Sequence, residues 1–169
     1  MRPELNRLMP DFELPGLDGR IRRLRDSRGR ITAINFWSAD CPHVERADAS
    51  MLSALARWGD EVVLWMIASN ANESDVQLRD ASRRLGPLPV LKDAGAALAD
   101  RFEAQVTPEV FVVDREGILR YRGAVDDVSF RQRVANRSYF EQAVEALLAG
   151  DLPAVSEAPA FGCAIVRSI

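Results

Sequence analysis

The order of apolar and amphipathic runs along this chain predicts an α/β sandwich around a mixed central sheet. Three observations carry that expectation. First, three short runs, 31–38, 61–68 and 110–113, are apolar and rich in β-branched and aromatic residues. That is the pattern of strands buried on both faces. Second, stretches with helical spacing separate these runs. Third, a turn at 114–117 joins the last run to 118–123, as in an antiparallel hairpin. Strands alternating with helices and ending in a hairpin place helices against a mixed sheet.

Each element has its own signal. Between Met9 and Leu24, Asp18-Gly19 marks a turn between two short strands. The run Ile31-Thr32-Ala33-Ile34-Asn35-Phe36-Trp37-Ser38 reads as a central strand, and it stops at Ala39-Asp40-Cys41-Pro42. Proline suits the first helical position, which needs no N–H partner. Ala47, Met51, Leu52, Leu55 and Trp58 then recur at three- and four-residue spacing until Gly59. Glu61 to Ala68 is a second strand. Ser74 is a good cap for a helix from about Asp75 to Leu85. Pro87 and Pro89 break the chain, Val90-Leu91 suits a short strand, and Ala94 to Phe102 reads as a helix. A last helix runs from about Ser138 to Ala149, with Gly150 as its stop. No repeat or linker interrupts 1–169, so a single domain is expected, with an N-terminal hairpin within 1–28 and a proline-containing tail over 151–169.

Composition narrows the function. Of 169 residues, 47% are hydrophobic and 28% charged, which is enough apolar material for one core without staples. The net charge is −3 and no stripe of basic and aromatic residues is visible, so nucleic acid is not an expected partner. No run reaches the roughly 18–20 apolar residues that cross a bilayer. The N-terminus has no apolar signal region, so the expected setting is the cytoplasm, unless a signal has been removed. Two cysteines make no disulfide framework. The runs of arginine at 22–23, 83–84 and 131–137 read as solvated faces, and Asp126-Asp127 as a loop or cap.

The chemistry concentrates where the first long strand meets the first long helix. Cys41 falls at the helix start, where unpaired N–H groups and the helix dipole favour an anion. The thiolate is the reactive form of cysteine. His43, the only histidine, follows two residues later and could tune that thiolate as an imidazolium. The competing reading makes Cys41 an inert core residue and His43 a solvated one.

The segment Phe36-Trp37-Ser38-Ala39-Asp40-Cys41-Pro42 resembles the active-site strand and turn of thioredoxin-like proteins. Met9-Pro10-Asp11-Phe12-Glu13-Leu14 with Asp18-Gly19 is similar to the N-terminal hairpin of the redoxin branch, the AhpC/TSA superfamily. Val106-Thr107-Pro108 resembles the cis-proline loop that faces the reactive cysteine. Tyr121 to Asp127, Ala146 to Gly150, and Gly162-Cys163-Ala164-Ile165 resemble bacterial redoxin-domain proteins ending in a G-C-x-I motif. The resemblance implies a thioredoxin-like three-layer sandwich and a thiol-dependent oxidoreductase. It assigns Cys41 as nucleophile, Pro42 and His43 as its supports, and Thr107 and Pro108 as the groove that presents backbone to a substrate.

There are departures from the family pattern. Val44 stands where a C-x-x-C motif has its second cysteine, which leaves Cys163 as the candidate resolving thiol. Asn35 replaces a buried acid. Glu109 is a conceivable substitute, although a surface glutamate is the expectation. Ser38 fits the hydroxyl of a peroxiredoxin pattern, but Ile34 replaces its proline. The expected partner is a protein thiol or disulfide, with a peroxide substrate as the alternative. A non-catalytic binding or redox-sensing module is the reading from another class. No cofactor or metal is expected. A site drawn from Cys41, His43 and Cys163 lacks the second local cysteine and distant histidine of a copper-chaperone relative.

Overall fold

The computed structural model describes residues 2–169. A hairpin comes first, β1 (Glu13–Pro15) against β2 (Ile21–Arg23), antiparallel. The body follows as β3 (Ile31–Trp37), α1 (Pro42–Trp58), β4 (Val62–Ala68), α2 (Asp75–Ser82), β5 (Val90–Lys92), α3 (Ala97–Phe102), β6 (Val106–Thr107), β7 (Glu109–Val113), β8 (Leu119–Gly123) and α4 (Tyr139–Leu148). The tail adds β9 (Glu157–Ala158) and β10 (Cys163–Ala164).

Six strands form the central sheet in the order β5-β4-β3-β7-β8-β9. β3, β4 and β5 run parallel, β7 is antiparallel to β3 and to β8, and β9 lies parallel to β8. All seven residues of β3 are buried, as its unbroken apolar run requires. Ile31, Ala33 and Trp37 pack with the buried faces of α1 and α4 and with Leu78 of α2. Ile34 and Phe36 point the other way, to Phe102 of α3 and to Met9, Phe12 and Leu24 of the N-terminal segment. The sheet is thus covered on both faces, which makes the three layers.

The caps explain the helix positions. Pro42 opens α1 and Cys41 is its extended N-cap residue, at φ −146°. Ser74 and Gln77 form a reciprocal capping box on α2. Ser138 accepts from the Glu141 amide at the start of α4. Two helices are shorter than their sequence pattern. α2 tightens into a 3-10 turn over Arg83–Leu85. The stretch Ala94–Ala96 is also 3-10, because Gly95 and Ala96 take positive φ of 69° and 56°. Asp93 then reaches past that kink and accepts from the Leu98 and Ala99 amides.

The larger departure is the tail, which is built into the fold. β9 extends the central sheet, and β10 pairs antiparallel with β6, Cys163 opposite Thr107 and Ala164 opposite Val106. Two glycines admit it. A Cβ on Gly123 would lie 1.8 Å from the Ala158 carbonyl oxygen, and one on Gly162 would lie 1.9 Å from that of Thr107. Both positions need backbone without a side chain.

Candidate active site

Cys41 ends the loop from β3 and lies 3% exposed against α1 and the sheet. Its thiol donates to the Thr107 carbonyl oxygen at 3.6 Å. Thr107 is followed by Pro108 across a cis peptide bond. The sequence-assigned Cys41, Pro42, Thr107 and Pro108 therefore meet at one point, where the start of α1 faces the β6–β7 junction.

Cys163 joins them from the tail. Its place in β10 opposite Thr107 brings it to the carbonyl that holds the Cys41 thiol. Both cysteines are free thiols, Cys41 buried and Cys163 half-buried. Burial pushes the Cys163 thiol up to about 12, and the neighbouring Cys41 thiol adds to that shift, followed by the charge of Asp40. The tail is fastened on both sides of Cys163. The Ile165 amide donates to the Gln105 carbonyl, the Val166 amide to the Asn70 side chain, and the Ala71 amide to the Val166 carbonyl. Ile165 is buried in the core behind the sheet, and Arg167 pairs with Asp100 at 2.6 Å.

His43 packs against the tail. Its ring meets Phe161 edge-on at 4.8 Å, and Phe161 meets Phe130 at 4.7 Å. Among the described residues, no hydrogen bond joins His43 to Cys41. The Ser38 hydroxyl donates to Glu73 at 2.7 Å, and among the described residues no hydrogen bond joins it to the Cys41 thiol.

Glu73 is a site residue that the sequence did not announce. One carboxylate oxygen accepts from the Ser38 hydroxyl and from the amides of Ala39 and Asp40. It therefore clamps the three residues ahead of Cys41. No motif marks it, because its partners lie more than thirty residues earlier in the chain. Asn35 is fully buried beneath α1 and donates to the Met66 sulfur at 3.4 Å.

Two surface expectations are corrected. Glu109 is 4% exposed. Arg2 reaches it at 3.0 Å and the Gln105 amide donates to it, and these two contacts draw it inward. Burial nevertheless raises its carboxyl above the ordinary range. It lies on the sheet face away from α1, in register with Phe36, so it does not stand in for an acid at Asn35. Arg84 is not simply solvated either. Its Nε donates at 2.9 Å to Asp48, a buried acid on α1 that also accepts from the Trp37 indole at 3.0 Å. Asp126 and Asp127 organise a loop. Asp126 pairs with Arg46 and accepts from the Val128 amide, while Asp127 accepts from the Asn136 and Arg137 amides.

A cysteine at a helix start, facing a proline loop beneath a three-layer mixed sheet, defines a redoxin-type protein of thioredoxin-like fold. The chain belongs to the AhpC/TSA family, whose family model matches residues 5–122. Among curated relatives, the thiol-disulfide oxidoreductase ResA of Geobacillus thermodenitrificans is 28% identical over 112 residues, covering 66% of this chain and 64% of that protein. The thiol:disulfide interchange protein DsbE of Pseudomonas aeruginosa is 28% identical over 131 residues, 75% of this chain and 71% of that protein. The chain thus spans a little under two thirds of the length of the ResA relative. Among solved structures, an uncharacterized conserved protein from Geobacillus kaustophilus superposes with TM-score 0.88 at 26% identity, covering 98% of this chain and 93% of that one. A hypothetical protein from Sinorhizobium meliloti gives 0.85 at 27%, covering 98% and 95%. Among the described residues no helix is long and apolar enough to cross a membrane.

Proposed function

We propose that the protein is a thiol-disulfide oxidoreductase in which Cys41 attacks and Cys163 resolves. One observation carries this reading: β10 sets Cys163 opposite Thr107, whose carbonyl holds the Cys41 thiol. Val44 removes the usual second cysteine, and the tail supplies one from another part of the chain. The names of the ResA and DsbE relatives point to the same reaction class.

The chemistry balances without a cofactor. The Cys41 thiolate attacks one sulfur of a partner disulfide, forming a mixed disulfide and releasing one partner thiolate. Cys163, as thiolate, then attacks the Cys41 sulfur. The second partner thiolate leaves, the partner is reduced by two electrons, and Cys41–Cys163 is left as a disulfide. An external dithiol restores it, and the reverse sequence oxidises a partner dithiol. The raised pKa of Cys163 suits this order. In the mixed disulfide Cys41 has no charge and no free thiol, so two of the causes that hold the proton on Cys163 are gone. Ser38 supports exchange over peroxide reduction, because its hydroxyl is committed to Glu73 and not to the thiol.

The test is a peptide map of protein treated with 2-hydroxyethyl disulfide and alkylated without reduction. The expected product is an intrachain Cys41–Cys163 crosslink. Cys163→Ser should accumulate 2-mercaptoethanol on Cys41, and Cys41→Ser should abolish turnover. If both thiols remained free, the proposal would fall in favour of a binding module. Catalytic consumption of hydrogen peroxide with a thiol reductant, and none of the disulfide, would transfer it to the peroxidase reading.

A further inference from the structure

A groove of about 420 Å³ opens beside Cys41, lined by Pro42, His43 and Arg46 of α1, by Val128, Ser129, Phe130 and Arg133 of the loop before α4, and by Phe161 of the tail. Its volume falls in the range of sites that take a side chain or small ligand, roughly 300–1,000 Å³. An ion pair and hydrogen bonds tie the walls of the groove together. The Arg46–Asp126 pair ties the loop to α1, the Ser129 amide donates to the Gln132 carbonyl at 2.8 Å, and Asp127 closes the loop's far end. Three rings run along it, His43 to Phe161 to Phe130. The outermost, Phe130, is 87% exposed, and Val134 beyond it is 76% exposed. Preformed apolar surface left to water beside a reaction centre marks a contact site.

Charge decides what the contact is. The chain is net negative, yet residues 128–137 contain Arg131, Arg133 and Arg137 and no acid. Arg137 lies over the Tyr139 ring and donates to Gln142. Arg46 is neutralised by Asp126. Among the described residues, the Arg131 and Arg133 guanidinium groups have no carboxylate partner. The Glu45 carboxylate, also exposed on the first turn of α1, is the one acid in the part of α1 that borders the groove. The free cations thus belong to the loop, beside the exposed phenylalanine.

We propose that this groove receives the polypeptide flanking the reactive disulfide of the partner, and that the partner segment carries an aromatic side chain with acidic residues beside it. The aromatic ring stacks in the groove against Phe130 and Phe161, and carboxylates pair with Arg131 and Arg133. The proposal rests on the exchange reading and adds its substrate class. Phe161 is two residues from Cys163, so the bound segment also touches the strand that carries the second thiol.

The probes are three fluorescein-labelled peptides, Glu-Glu-Phe-Ser-Glu-Glu, Lys-Lys-Phe-Ser-Lys-Lys and Glu-Glu-Ala-Ser-Glu-Glu, titrated by anisotropy against the full chain at low salt. The Glu-Phe peptide is expected to bind about tenfold more tightly than either of the others. That preference should shrink to near unity in Phe130→Ala and in the double variant Arg131→Gln/Arg133→Gln, both checked for unchanged thermal unfolding. Equal binding of all three peptides, or a preference that survives both variants, overturns the proposal. Turnover of 2-hydroxyethyl disulfide by the wild type separates the two claims. Turnover with no peptide preference removes the docking surface alone. Preference without any disulfide turnover removes the exchange reading and leaves the groove as the contact face of a binding module.

Discussion

Cys163 holds its proton well past the range in which a free thiol ionises, to about 12. At pH 9 such a group is almost wholly protonated, whereas an unperturbed thiol, with its pKa of about 8.5, is mostly thiolate. Reduced protein should therefore label slowly at Cys163 with iodoacetamide near pH 9, and Cys41→Ala should speed that labelling by removing the neighbouring thiol that adds to the shift. Equal rates would show that Cys41 plays no part in the shift. The stability consequence has a definite sign. The folded state binds this proton more tightly than the unfolded chain, so stability falls as pH rises from about 9 towards 12. Glu73 makes a second prediction. Glu73→Ala leaves the Ser38 hydroxyl and two amides without their acceptor and should cost about 1–3 kcal/mol. Glu73→Gln keeps an acceptor oxygen and should cost less; urea unfolding of both variants checks the order. Cys41 and Pro42 were legible in the sequence because a strand, a proline and a helical period follow one another without interruption. Glu73 was not, because a carboxylate that binds backbone amides at long range leaves no periodicity.

The same distinction holds for whole elements. β3, β4 and β7 are long apolar runs, and their alternation with helices predicts the mixed sheet that they form. β6, β9 and β10 have two residues each, too few to show a period of two, so the tail reads as irregular until its partners are known. What the sequence did carry was Gly162 beside Cys163. Gly162→Ala would force a methyl group into the Thr107 carbonyl. Its expected cost is about 1–3 kcal/mol, as for overpacking elsewhere. Because that contact holds β10 on β6, the variant should also alkylate faster at Cys41 and form less intrachain crosslink on oxidation. Unchanged alkylation would mean that β10 does not cover Cys41. Glu109 shows the limit in the other direction. Its residue type suggested surface, and a long-range partner, Arg2, made it buried.

For the molecule as a whole, oxidation would close a loop of roughly 120 residues, which chain-entropy arguments value at up to about 5 kcal/mol. The oxidised protein should unfold at higher urea than the reduced one, and Cys163→Ser should abolish the difference. Acid behaviour is shaped by two buried carboxyls. Burial raises the carboxyls of Asp48 and Glu109, so the folded state holds their protons more tightly than the unfolded chain. Their contribution to stability is therefore greatest below the ordinary carboxylate range and declines as pH rises through it. Asp48→Asn should flatten the part of that decline that begins at the ordinary carboxylate range, read from urea midpoints at stepped pH. The seating of Cys163 beside Cys41 also sets a schedule during synthesis. At about 5–20 residues per second, the ribosome adds Cys163 on the order of 10 s after Cys41. Until then β10 has not been made to pair with β6, and Cys41 has no second thiol in these 169 residues to meet. In that interval any disulfide formed by Cys41 would be to another molecule, because the other cysteine of these 169 residues has not yet been added.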